Sequence, residues 1–168
     1  MEKLQVDILG LGESIGLFIP SGNITFGVND IYRIFHVDFL VVIDAPNRFT
    51  PERLEVIKWS TPNSFISHRH EYRGRNDYMK IDLWERTGLP IDLDGDKINV
   101  SVFSPFVATI VAYKMFEPEV INLYGVDMTN HPHLSAKAEK IRSDWFPLKK
   151  ALNERGVEVN VFGNGILA

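Results

Sequence analysis

Leu4-Gln5-Val6-Asp7-Ile8-Leu9-Gly10-Leu11-Gly12-Glu13-Ser14 is the stretch that decides the fold. Polar and apolar residues alternate up to Ile8-Leu9, and the run then stops abruptly at glycine, which predicts a strand feeding a tight loop. Ile24-Thr25-Phe26-Gly27-Val28 reads as the next strand, followed by Asn29-Asp30 as a cap for a short segment carrying Ile31, Ile34 and Phe35. Phe39-Leu40-Val41-Val42-Ile43 is unbroken and mostly β-branched, as suits a strand covered on both faces in a parallel sheet. It closes at Asp44-Ala45-Pro46-Asn47. Thr50-Pro51 supplies a cap and a first-turn proline for a helix to Trp59, and Ser64-Phe65-Ile66-Ser67 is a short strand.

Further on, Lys97 to Phe103 predicts a strand, and Ser104-Pro105 opens a helix to about Met115. Val120-Ile121-Asn122-Leu123-Tyr124 is a strand that stops at Gly125-Val126-Asp127. Leu134, Ala138, Ile141, Trp145, Leu148 and Leu152 recur every three or four residues, so they line one face of a helix kinked near Pro147 and ended by Gly156. Val157 to Val161 closes the chain as an alternating strand. Strands alternating with helices predict an α/β fold with a mostly parallel sheet. At 168 residues, with no linker or repeat, the chain reads as one domain, interrupted by an irregular polar insertion at about 68–96.

Composition removes several function classes. Hydrophobic residues make up 45% and charged residues 24%, which excludes wholesale disorder. A formal net charge of −4 argues against a dedicated nucleic-acid binder, whose phosphate contacts need a basic surface. Without cysteine there is no disulfide, thiolate nucleophile or Cys-ligated zinc. The polar opening and the lack of a long apolar run predict a cytoplasmic protein with no membrane span.

Three predicted strands end in polar loops, at Gly10–Ser14, Asp44–Asn47 and 125–130. In an open parallel sheet, ligands bind beyond the carboxyl ends of the strands, where strand order reverses. These loops are therefore expected on one rim. In the glycine loop, Gly16 falls one place too late for G-x-G-x-x-G, and the ending of a P-loop is missing. The surviving expectation is a sharp turn whose N–H groups face anionic oxygens, set against a tight turn with no ligand.

The order LGLGES, GVNDI, VDFLVVID, SPFVATIVAYKMF and INLYGVDMTNHPHL resembles a Rossmann-like superfamily. It includes the bacterial sialyltransferases of glycosyltransferase family 42, the motility accessory factors and the 6-hydroxymethylpterin pyrophosphokinase-like proteins, with small phage and bacterial members most similar. The resemblance implies a three-layer sandwich and a nucleotide or nucleotide-sugar donor. It implies that Gly10, Gly12 and Ser14 hold the nucleotide, with Glu13 where the family has proline. It also implies that Asn29 reaches the nucleotide and that Ser104 lies beside it at a helix start, although Pro105 replaces a glycine. Gly125 and Asp127 match the family's Gly-x-Asp strand end, and His131 or His133 matches its general base.

The remaining residues carry their own chemistry. A neutral imidazole can take a proton from an acceptor hydroxyl, and Asp127 can orient His131 or His133; solvated loop histidines are the alternative. Arg69, Arg73 and Arg75 concentrate guanidinium forks suited to anions, and in an extended segment they would share a face; a surface loop or subunit contact is the alternative. Asp44 ends a buried strand and holds a ribose hydroxyl or a magnesium-bound phosphate, or caps the following turn. Asp92-Leu93-Asp94-Gly95-Asp96 reads as a turn, since its glycine comes too early for a calcium loop. The leading expectation is a glycosyltransferase-like group transferase with a small nucleotide-type ligand and no required metal. An Mg-ATP-dependent pyrophosphokinase-like enzyme, or a non-catalytic binding module, are the alternatives, and a homo-oligomer is compatible with each.

Overall fold

Alternation in the strands becomes a seven-stranded sheet in which every neighbouring pair runs parallel. The computed structural model describes residues 2–84, 88–127, 134–163, 165 and 167. The sheet comprises β1 (Gln5–Leu9), β2 (Ile24–Val28), β3 (Phe39–Val41), β4 (Ser64–Ser67), β5 (Tyr78–Lys80), β8 (Val120–Tyr124) and β9 (Glu158–Val161). A separate parallel pair is formed by β6 (Asp82–Leu83) and β7 (Lys97–Ile98). Among the described residues three α-helices accompany them: α1 (Pro51–Trp59), α2 (Ser104–Phe116) and α3 (Leu134–Glu154).

Strand order is β5-β4-β3-β2-β1-β8-β9. The chain begins in the middle, works outward to β5, then returns to place β8 beside β1. Parallel crossovers are right-handed, so elements laid down in opposite directions fall on opposite faces. Accordingly α2 and α3 pack with Val6, Ile8, Phe26, Val28, Ile121 and Leu123 on one face. On the other, Ile57 of α1 joins Leu9, Leu40, Val42 and Phe65. The result is a Rossmann-like three-layer α/β fold. The run after Phe39 behaves as expected for a doubly covered strand: Leu40 and Val42 belong to one core, Val41 and Ile43 to the other.

Helix α1 starts at Thr50, whose Oγ1 accepts from the Arg53 N–H at 3.4 Å. Helix α2 is buried from Ser104 to Tyr113, so it is apolar nearly all round rather than one-faced. Helix α3 runs on through Pro147 and buries Trp145 completely.

Two expectations change. The strand predicted from Lys97 to Phe103 pairs only at Lys97–Ile98, and the polar side chains beyond it bond to the Asp92 turn and to α3 instead. Asn99 Oδ1 accepts from the Asp92 N–H at 2.9 Å, and the Ser101 hydroxyl donates to Asp144 at 2.8 Å. The region 68–96 is also more than an excursion, since Tyr78–Lys80 adds the edge strand beside β4. Asp92 Oδ1 accepts from the N–H groups of Asp94 and Gly95, making the expected turn.

Candidate active site on the carboxyl rim

Strand order reverses between β1 and β8, and the exits of these strands are welded together. The N–H of Gly10 donates to the Tyr124 carbonyl at 2.8 Å and that of Gly12 to the Gly125 carbonyl at 2.7 Å. A Cβ on Gly10 would collide with the Gly125 carbonyl, and one on Gly12 with Asp127 Oδ1. Gly125 sits at φ 70°, in the left-handed region, and a Cβ there would strike the Gly10 carbonyl. Glycine is required because two backbones touch.

Ser14 completes the seam. Its N–H and its hydroxyl both donate to Asp127 Oδ1, at 3.1 and 2.7 Å, while its Oγ accepts from the Gly125 N–H at 2.8 Å. Both side chains are buried. The carboxyl-terminal tail packs over them, for a Cβ on Gly163 would clash with the Ser14 side chain and one on Gly165 with Asp127. Of the two expectations for this loop, the tight turn describes four of its N–H groups. Glu13–Leu17 is a 3-10 turn rather than a longer helix, and the N–H groups of Gly10, Gly12, Ser14 and Ile15 all bond within the protein.

The neighbouring exit, after β2, is built differently. Asn29 holds φ 52°, a left-handed value uncommon outside glycine, and its buried Oδ1 has no hydrogen-bond partner among the described residues. Asp30 is 1% exposed and draws in two guanidinium groups. Arg53 Nε donates to Oδ1 at 2.9 Å, and Arg33 Nε lies 3.0 Å from Oδ2 without hydrogen-bond alignment. A cleft of about 500 Å³ opens here, lined by Leu11, Asp30, Arg33, Glu52, Arg53 and Val56. That is within the range of small-molecule sites. Arg33, Glu52 and Arg53 were not singled out from sequence. The legible signal was an Asn-Asp pair directly after a strand, with an arginine three residues on.

Helix α2 brings its amino terminus to the same rim, with Pro105 close enough that a Cβ on Gly10 would lie 3.4 Å from its Cγ. No side chain caps α2, so its first turn keeps the positive end of the helix dipole, with buried Ser104 at its start.

Asp44 follows β3, half-buried, two strands along from β1. The Tyr72 hydroxyl donates to its carbonyl at 3.1 Å. Burial, and then the negative charges of Asp44 and Glu71, push that phenol up to about 12. His68 Nε2 and Arg69 Nε both reach the Ile43 carbonyl, at 2.9 and 3.2 Å.

Arg69, Arg73 and Arg75 do not share a face, because His70–Tyr72 is a 3-10 turn instead of extended chain. Arg75 is turned inward. It donates to the carbonyls of Ile57, Lys58 and Ser60 and to the Asp77 carboxylate, and stacks 4.2 Å from the Phe65 ring centre. It helps to close the carbonyl end of α1, where the Ile57 carbonyl also accepts from the Ser60 hydroxyl at 2.6 Å. Arg73 is exposed. His131 and His133 lie outside the described residues. Among the described residues no group of three His, Asp or Glu is placed to hold a metal ion, and no helix is long and apolar enough to cross a membrane.

No family model matches the chain, and no curated protein matches it. Among solved structures, the sialyltransferase CstII from Campylobacter jejuni, in complex with the substrate analogue CMP-3FNeuAc, is similar with a TM-score of 0.55 at 11% identity. The likeness covers 94% of this chain and 79% of that one. At this identity it shows a shared fold.

Proposed function

We propose that this chain is a nucleotide-binding group transferase of the glycosyltransferase type. Its donor lies along the carboxyl rim, between the exit of β2 and the amino terminus of α2. The observation that carries the reading is Asn29. A left-handed, non-glycine residue with a buried, unpartnered amide oxygen has a cost in stability, and such costs concentrate where a ligand is held. It stands beside the reversal point of the sheet, where α/β folds bind ligands. The fold shared with a sialyltransferase that was solved with a CMP-sugar analogue supports the same ligand class.

In this reading Gly10, Gly12, Ser14, Gly125 and Asp127 hold the rim together, and the ligand meets Asn29, Ser104 and the α2 dipole. Asp44 faces the far side of the crevice. Asp127 stands shortly before His131 and His133 in the sequence, one of which takes the proton of an acceptor hydroxyl. The acceptor oxygen then bonds to the sugar carbon, and the bond from that carbon to the nucleotide phosphate breaks, with the electron pair leaving on the phosphate. Positioning and charge stabilisation supply most of the rate.

Thermal melts with CMP, CDP, UDP, GDP and ATP, each with and without magnesium, test the reading. A bound nucleotide at 100 times its Kd adds about 2.7 kcal/mol, seen as a raised midpoint. Asn29→Gly, which keeps the left-handed backbone and removes the amide, should cut that rise to about half. A magnesium requirement with ATP would move the assignment to phosphoryl transfer. No rise with any nucleotide would leave a binding module without this ligand.

A further inference from the structure

We propose that Arg33 and Arg53 form an anion clamp that receives phosphate oxygens in the cleft beside the glycine loop. This deepens the nucleotide reading and rests on it for the identity of the phosphate. The two guanidinium groups come from different elements, Arg33 from the 3-10 turn Ile31–Arg33 and Arg53 from the first turn of α1. Both converge on one buried carboxylate, Asp30.

One guanidinium is enough to neutralise Asp30, and Arg53 supplies it with contacts of 2.9 Å from Nε and 2.8 Å from NH2. Arg33 is the second. It sits at ion-pair distance from the enclosed Asp30 Oδ2 but without hydrogen-bond alignment. The side chains of Arg33 and Arg53 remain 53% and 40% exposed, so each presents donors to the cleft while one edge is held. Arg53 is further fixed by stacking 5.0 Å from the Phe49 ring centre. Two forks anchored from behind on a shared acid are pre-organised for a tetrahedral anion, which offers more acceptor oxygens than a carboxylate. Glu52, in the same wall, suits a hydroxyl group next to that anion. Leu11 joins the cleft to the rim, and Val56 gives it an apolar floor.

Calorimetric titration of the full chain with inorganic pyrophosphate, CMP and cytidine tests the clamp. Wild type is expected to bind pyrophosphate saturably. Arg33→Gln should weaken pyrophosphate and CMP by about tenfold or more while leaving cytidine unchanged. If wild type ignores pyrophosphate, or if Arg33→Gln binds it as tightly as wild type, the clamp is wrong. CMP binding that survives Arg33→Gln undiminished would overturn the clamp and leave the nucleotide reading standing. Loss of pyrophosphate binding in the variant, with no nucleotide bound by wild type, would keep the clamp and overturn the nucleotide reading. Should Arg33→Gln fail to fold, the Nε–H resonances of Arg33 and Arg53 in wild type decide: pyrophosphate must shift both, and unmoved signals refute the proposal.

Discussion

Gly10 and Gly125 show how a glycine motif can belong to the scaffold. Their carbonyls lie where the other's Cβ would be, so alanine at either position must push two strands apart. Gly10→Ala should lower stability by about 1–3 kcal/mol, the usual cost of overpacking, and Gly125→Ala by more, since its left-handed φ adds strain. Urea melts measure both. Asp7 carries a second residue-scale prediction. From sequence it read as the polar member of an alternating strand; in the sheet it is 2% exposed, accepting from Asn122 at 3.0 Å and Asn23 at 3.4 Å. Burial raises its carboxyl above the usual value near 3.8, against the lowering effect of those amides. Because the folded value exceeds the unfolded one, folding favours the protonated acid, and its contribution falls as pH rises through that window. Asp7→Asn should therefore match wild type well below pH 3.8 and become the more stable protein as pH rises towards 7. Melts of both proteins across that range check the sign.

Elements with their own signal were legible. The strands at Ile24–Val28, Ser64–Ser67 and Val120–Tyr124 lie where patterning puts them, and both helices carry their prolines in the first turn, α1 with its Thr50 cap and α2 without the expected Ser104 cap, because this information is local. The edge strand Tyr78–Lys80 was not legible, nor was the role of Arg75, because each depends on partners distant in sequence. Arg75 braces the carbonyl end of α1 against Asp77 just before β5. Removing it takes one partner from three carbonyls and a carboxylate, of which the Ile57 carbonyl keeps Ser60, so Arg75→Ala should cost about 1–3 kcal/mol without changing nucleotide affinity. Paired denaturant melts and nucleotide titrations separate this brace from a ligand contact. Which of the glycine loop's two readings applies to its N–H groups was not legible for the same reason. The acceptors for Gly10, Gly12 and Ser14 are Tyr124, Gly125 and Asp127, which lie far on in the chain.

At the scale of the whole molecule, parallel strands put every exit on one edge, so the alternation of strand and helix already implied a shared rim. Gly12 meets Asp127 there and Asp44 lies two strands along. What stayed hidden was which exit is open, since that depends on side-chain packing between loops: β1 and β8 are sealed to each other, while β2 opens on the Asp30 cleft. Turnover belongs to this scale too. Replacing His131 and His133 together by alanine should lower the transfer rate by about 10²- to 10⁴-fold with the melting midpoint held, if one is the base. Rates near wild type would remove the histidines from the mechanism. The central claim, a nucleotide on the carboxyl rim beside β2, is tested most directly by titrating isotope-labelled protein with CMP and following its amide resonances. Saturable shifts should cluster at Leu11, Asn29–Arg33, Ser104 and Phe106. Shifts confined to the opposite edge of the sheet, or none at millimolar CMP, would contradict it.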